Sequence, residues 1–325
     1  MTMPSARSLK QSAKAALSAA SFEPRKLALL HTGAAAAFST LLTLLNFILS
    51  RQMDSAVGLS GLGLRAILST AQSVLSIAAF AVIPFWEMGF TAAGLRLSRC
   101  EPAAPGTLLE GFRRWGSVLR LTLLRFAVYM AIMLFCLQLS TVIYTVTPFS
   151  TPLMETLLSV MESGTALDKT ALQSLIPAML PLYGILAVIT CIVLIPVHYR
   201  LRMAEYFLLD MEKPAALPAL LGSWKHMRRN RLALFRLDLS LWWYYGGMIL
   251  SSIVGYGDVL LDALGVTLPV SADAAFFLFY ILHILCQLAI AWLVGSQVST
   301  TYAAAYDSLL REEMPTAEAS LPEQL

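Results

Sequence analysis

Residues 175–202 read LIPAMLPLYGILAVITCIVLIPVHYRLR. Between 175 and 198 there is no Asp, Glu, Lys or Arg, and the run ends on Arg200 and Arg202. A bilayer core needs about 20 apolar residues per helix. Backbone groups in lipid must be satisfied within their own segment, so a continuous run like this crosses as a helix. The same reading picks out 27–50, 66–90, 121–146, 233–255 and 275–304, which gives six spans in all. Composition agrees: 58% of residues are hydrophobic and 13% charged, with a mean hydropathy of +0.70. A soluble domain carries about 25% charge. An outer-membrane barrel is excluded, because its strands would alternate polar and apolar residues. The expected fold is an all-α polytopic helical membrane protein with six transmembrane helices and amphipathic interfacial helices in its cytoplasmic connections.

The basic residues fall in alternate gaps. Connection two and its flanks hold Arg96, Arg99, Arg113, Arg114, Arg120 and Arg125. Connection four holds Arg200, Arg202, Lys213, Lys225, Arg228, Arg229, Arg231 and Arg236. Five more cations precede the first span and Arg311 follows the last, so that only Arg51, Arg65 and Lys169 of the 23 lie in connections one and three. The positive-inside rule then places the N-terminus, connections two and four and the C-terminus in the cytoplasm. Such a face attracts anionic headgroups, at about 1 kcal/mol per well-placed cation. The expected partners are therefore anionic membrane lipids, with room for protein partners in the membrane. Nucleic acid is not needed to explain the charge. The first span follows 26 mostly polar residues and is longer than a signal-peptide core, so it reads as an uncleaved helix.

Sliding the chain against itself by 112 residues aligns Ile83-Pro84 with Ile195-Pro196, and Pro102-Ala103-Ala104 with Pro214-Ala215-Ala216. Leu108, Leu109, Phe112 and Trp115 then fall on Leu220, Leu221, Trp224 and Met227. Apolar positions at i, i+1, i+4 and i+7 form one helix face. Each connection is therefore expected to hold an amphipathic interfacial helix started by its proline. Its membrane-surface residues would be Phe112, Arg113, Arg114 and Trp115 in one copy, and Trp224, Lys225, Arg228 and Arg229 in the other. The internal repeat covers about 83–146 and 195–255. Residues 1–26 form an N-terminal amphipathic segment that reads as a third copy, 27–310 the membrane domain, and 311–325 an acidic disordered tail. A short helix is expected from Pro152 to Met161.

The stretch Ser223-Trp224-Lys225-His226-Met227-Arg228-Arg229-Asn230, with Phe235-Arg236-Leu237-Asp238-Leu239-Ser240-Leu241-Trp242-Trp243, resembles the bacterial membrane family known as domain of unknown function 975. The ending Ala303-Ala304-Ala305-Tyr306-Asp307 is similar to that family's close. Arg229 departs from the usual glycine, and a proline-tyrosine pair expected before the last helix end is missing. The resemblance covers mainly residues 195–310. It implies a multi-span fold distantly similar to the membrane portion of some glycerophosphodiester phosphodiesterases, and no known activity. The location it implies is a bacterial cytoplasmic membrane.

Few residues invite chemistry. Asp238 lies about six residues inside span five, roughly 9 Å along the helix, and an intramembrane carboxylate is a functional-site hypothesis by default. Its expected partners are Arg236 and Arg125, either as a site or as a structural ion pair. His283 and Gln287 share one face of span six, where they line a polar cavity or bond a neighbouring helix. Glu87 reads as an interface residue near the arginines that follow it. Trp242 to Tyr245 point all around span five, so some of them face protein or a bound amphiphile. Stripes of small residues, Gly247, Ser251 and Gly255, and Ala291, Gly295, Ser299 and Ala303, read as helix packing. Val254-Gly255-Tyr256-Gly257-Asp258 looks like a potassium-channel filter, but Ile253 stands where a hydroxyl is needed and no pore helix fits beside the crossing. The glycines read as the stop and turn after span five. No zinc motif, phosphate loop or nucleophile elbow is present, and Cys100, Cys136, Cys191 and Cys286 have neither metal-ligand nor disulfide spacing. No catalytic residue, metal or cofactor is expected. The functional reading is a non-enzymatic membrane protein that binds or organises lipids or partners. A solute transporter or channel and a membrane enzyme of lipid headgroup metabolism are the alternatives.

Overall fold

The computed structural model describes residues 3–20, 23–55, 59–155, 158, 169–266 and 268–311. The described chain is all-α. Its elements are α1 (Ala6–Ser18), α2 (Pro24–Ser55), α3 (Leu59–Ser98), a tight helical turn (Pro105–Leu109) leading into α4 (Glu110–Arg113), and α5 (Trp115–Val146). Then follow α6 (Lys169–Leu201), α7 (Ala204–Asp210), α8 (Ala216–Ser240), α9 (Trp242–Gly255), α10 (Gly257–Ala263), α11 (Ala272–Ile290) and α12 (Ser296–Arg311). Five helical stretches are long and apolar enough to cross a bilayer: Pro24–Met53, Gly63–Ser98, Trp115–Val146, Met179–Asp210 and Ala272–Leu310. Their outward faces are apolar, with Ile77, Ile192 and Leu293 among the exposed side chains. The expected tail, and most of the helix expected from Pro152 to Met161, lie outside the described residues.

The tightly packed core sits at one end of the bundle. Its buried members come from the ends of the long helices and the segments joining them: Met88, Ala92 and Leu95, then Leu201 to Leu209, then Leu220, Met227, Leu234 and Leu237, then Tyr302 to Leu309. This is the end where the Lys and Arg cluster. Backbones meet there at van der Waals limits. A Cβ on Gly89 would collide with the carbonyl of Leu108, and one on Gly111 with the carbonyl of Phe85, so the segment after α3 folds back against it through two reciprocal glycines. On the other side of α3, Gly94 lies against Ser299 of α12.

The two aligned connections fold differently from the expectation and from each other. In the first, the helical segment starts at Pro105 rather than Pro102, and the chain breaks at Arg114 before α5. In the second, α8 runs unbroken from Ala216 into the region expected as span five, and breaks at Leu241. The stretch 233–255 is therefore not one continuous helix. At the break the Leu241 N–H bonds to the Asp238 carbonyl at 2.9 Å, a tightened turn, and the Ser240 hydroxyl donates back to Leu237 O at 2.6 Å. Such side-chain bonds compete with the helix ladder. The freed Ser240 carbonyl accepts from Lys10 Nζ at 2.5 Å, a cation at a helix C-terminus. Past the break, α9 has 14 residues, about 21 Å at the α-helical rise.

Lys10 can reach because α1 packs on α12, α3 and α8, burying Leu9, Ala13 and Ala16. Ser5 caps it by accepting from the Ser8 N–H. Just before it, the Met3 N–H donates to the buried Asn230 amide oxygen at 3.2 Å. The N-terminal segment is thus docked beside the last helix.

Candidate functional site

Asp238 lies at the centre of a polar cluster inside the bundle. One carboxylate oxygen accepts from the Tyr199 hydroxyl at 2.7 Å and from the Arg202 guanidinium, and the other from the Tyr302 hydroxyl at 2.5 Å. Arg202 also donates to the Tyr245 hydroxyl at 2.7 Å, Tyr245 bonds Tyr302, and the guanidinium lies 4.4 Å from the Tyr302 ring centroid. One turn further along the chain, Glu205 pairs with Arg125 and accepts from Thr91 at 3.4 Å. Tyr129 and His198 meet at 3.2 Å beside that pair. Buried charges survive when they are paired and their remaining donors and acceptors are bonded. Both pairs meet that condition.

All of these groups except Tyr129 line one cavity of about 540 Å³, together with Glu87, Tyr206, Tyr244 and Gly295. Its walls come from α3, α5, α6, α7, α8, α9 and α12. Gly295 ends a π-helical turn, Ala291–Gly295, between α11 and α12. A second cavity of about 330 Å³ lies between α2, α3 and α11, bounded by Phe38, Trp86, Glu87, Phe112, Tyr280, His283 and Gln287. Glu87 is common to both.

Several expected residues converge, though with other partners. Asp238 pairs with Arg202, not with Arg236 or Arg125. Arg236 is exposed, because residues two apart on a helix point to different faces. Arg125 lines the same cavity as Asp238 but is held by Glu205. Glu87 faces both cavities, and its nearest basic group is His31 Nε2 at 3.8 Å rather than an arginine. His283 both lines the smaller cavity and bonds α9: its Nδ1 lies 2.7 Å from the Ser251 carbonyl and its Nε2 3.0 Å from Gln287 Nε2. A carbonyl only accepts, so Nδ1 carries the proton and the Gln287 amide donates to Nε2. Of the four consecutive aromatics, Tyr244 and Tyr245 line the larger cavity and Trp242 faces outward. The small-residue stripe of α9 packs on α11, with Gly247 against Ile290 and Gly255 against His283. Val254 to Asp258 is helical on either side of Tyr256, so no extended filter forms.

The expected membrane-surface residues separate. Arg113, Trp115, Lys225, Arg228 and Arg229 are exposed, and so in part are Phe112 and Trp224, though each of those two also has a packing partner. Phe112 packs against Phe85 and Trp86 at centroid distances of 5.5 and 6.0 Å. Arg114 is a strut: it bonds Glu110 at 3.1 Å and donates to the Leu209 carbonyl at 2.9 Å at the end of α7. Trp224 stacks under Arg200, whose guanidinium carbon is 4.4 Å from the ring centroid.

Tyr199, Glu205 and Tyr302 were not singled out from the sequence, and Arg202 was read only as a cation of connection four. The signal available was the spacing of Tyr199, Arg202 and Glu205, three apart at the end of an apolar run, which places polar groups along one side of a helix. A second ion cluster closes the same end of the bundle. Arg99 bonds Asp210 at 2.7 Å and Asp307 at 2.9 Å, Ser98 donates to Asp307 at 2.7 Å, and Tyr306 to Asp210 at 3.2 Å. The Asp210 hydrogen bond raises the Arg99 pKa further, against the pull of burial and with help from Asp307, so this guanidinium stays charged.

Five apolar helices of spanning length around a polar interior define a polytopic helical membrane protein. No protein-family model matches the chain, and no curated protein or solved structure shows significant similarity to it. Residues of the stretches 223–243 and 303–307 have physical roles in this fold. Ser223 bonds the Arg200 carbonyl at 2.6 Å, Met227 is fully buried, Asn230 holds the N-terminal segment, Asp238 anchors the cavity and Asp307 binds Arg99.

Proposed function

We propose that this is a six-span, non-enzymatic protein of a bacterial cytoplasmic membrane, related to domain of unknown function 975, whose larger cavity binds the headgroup of a membrane amphiphile. The observation that carries the binding site is the pairing of Arg125 with Glu205 and Arg202 with Asp238 on one 540 Å³ cavity also lined by Tyr199, Tyr244, Tyr245 and Tyr302. Two guanidiniums suit a phosphate, the carboxylates suit an amine, and the hydroxyls suit either. A headgroup carrying both charges matches this lining better than a purely anionic one. The exposed Lys225, Arg228 and Arg229 suit the anionic leaflet around it.

Support for six crossings comes from parity. The helix before the first span, α1, packs on α12, the last described helix, so the two ends of the described chain meet at one face of the bundle. An even number of crossings fits that arrangement. Beyond the five long stretches, α9 with the end of α8 is the remaining apolar segment among the described residues that packs along a span, lying against α11. The cation-rich connections lie at that same face, which supports cytoplasmic termini.

Native mass spectrometry of protein extracted with its lipids tests the site. The expected result is one amine-bearing phospholipid retained per chain in the wild type and absent after Arg125→Ala or Asp238→Ala. Equal lipid retention by all three proteins would remove the headgroup reading. Transport of a small solute is the second reading, and the position of Glu87 on both cavities favours it. Thiol labelling of cysteines placed between Asp238 and His283 would support it by showing a water path through Glu87.

A further inference from the structure

We infer that the smaller cavity is a binding site for an organic cation: an ammonium group carried on an aromatic or aliphatic body. This site does not depend on the headgroup reading. Its volume of about 330 Å³ is at the lower end of the range for small-molecule pockets. The α2 wall is a run of alanines at 34–36, which opens the space, and the aromatic side chains of Phe38, Trp86, Phe112 and Tyr280 line it.

Its charge is what sets it apart. Glu87 is the one ionisable acid among the lining residues, and no Lys or Arg described in the structure approaches its carboxylate within ion-pair distance. His31, at 3.8 Å, is too far for a hydrogen bond, and its ring is stacked on Phe90 with centroids 4.4 Å apart. The acids of the larger cavity and of the cluster at its end have arginine partners: Asp238 has Arg202, Glu205 has Arg125, and Asp210 and Asp307 share Arg99. Of the remaining polar groups of the cavity, the His283 ring is engaged with Ser251 and the Gln287 amide nitrogen, and the Tyr280 hydroxyl with Ser39, Thr40 and Thr43. The Gln287 carbonyl oxygen that remains is an acceptor, which suits an ammonium N–H as well. A single unmatched carboxylate among aromatic rings is the chemistry that recognises an organic cation, by charge and by cation–π attraction.

The test is equilibrium dialysis of benzyltrimethylammonium against the purified full-length protein in lipid nanodiscs. Neopentylbenzene, which replaces the nitrogen by carbon, serves as the neutral isostere. The expected result is one saturable site per chain in the wild type, affinity at least tenfold weaker in Glu87→Gln, and Glu87→Asp within about threefold of wild type. Neopentylbenzene should bind wild type at least tenfold more weakly than the cation, a comparison that does not depend on any variant folding. No saturable site in the wild type, equal affinity of wild type and Glu87→Gln, or equal binding of cation and isostere would each overturn the assignment.

Discussion

In the larger cavity each arginine has a carboxylate within bonding distance, whereas in the smaller one the lone carboxylate has no basic partner at that range. The difference separates two uses of charge in a low-dielectric interior. Asp238, with tyrosine hydroxyls of α6 and α12 on its lone pairs, ties those helices to α8, and the Glu205–Arg125 pair ties α7 to α5. An unpaired acid holds nothing together, and is retained where something else supplies the opposite charge. Glu87 stands at the boundary, one residue on two walls.

The comparison can be broken most severely at Arg202. Arg202→Ala leaves Asp238 buried without its cation, and removing one partner of a buried pair costs about 3–5 kcal/mol. The expected outcome is a large drop in melting temperature in detergent, with part of it recovered in the Arg202→Met, Asp238→Asn double variant. No drop would mean that the pair is not structural. Gly111→Ala should cost about 1–3 kcal/mol, the usual range for overpacking, because its new methyl meets the Phe85 carbonyl. The same melting assay reads it, and Gly116→Ala is the matched control, since nothing lies within 4 Å of a Cβ there. Glu87→Gln sharpens the contrast: with no pair to lose, stability should stay within about 1 kcal/mol of wild type. A loss as large as that of Arg202→Ala would make Glu87 a structural residue. The smallest effect belongs to Arg51→Ala. Arg51 pairs with Asp273 at the far end of the bundle with both side chains about half exposed, and such surface pairs are worth up to about 1 kcal/mol.

Much of the frame was legible because apolar runs and basic gaps are properties of consecutive residues. Five of the expected spans reappear as long apolar helices, and Asp238 stood out as a carboxylate within such a run. Its partner did not. Arg236 and Arg125 were the arginines nearest in sequence or depth, but Arg202 reaches Asp238 only because α6 packs along α8. The break at Leu241 was also illegible. It has no proline or glycine, and arises from a serine back-bond and from Lys10, which lies 230 residues away in the chain. The membrane-surface set was read from an amphipathic pattern, and in the first copy that set is split by the break at Arg114. What the apolar side touches differs by copy: Phe112 meets the aromatic residues of α3, and Trp224 meets Arg200.

The break at Leu241 also bears on how the chain is made. On the six-span arrangement the crossing joins the end of α8 to α9; α9 alone, at about 21 Å, is shorter than a hydrocarbon core of about 30 Å, and its first turn is Trp-Trp-Tyr-Tyr rather than aliphatic. Such a segment is a weak signal to the insertion machinery when it emerges alone. It becomes stable once α11 follows and closes against it through Gly247, Ser251 and Gly255. The last two crossings should therefore enter the bilayer together, as a hairpin. A nascent chain stopped after α10 would still have its end on the ribosome's side of the membrane.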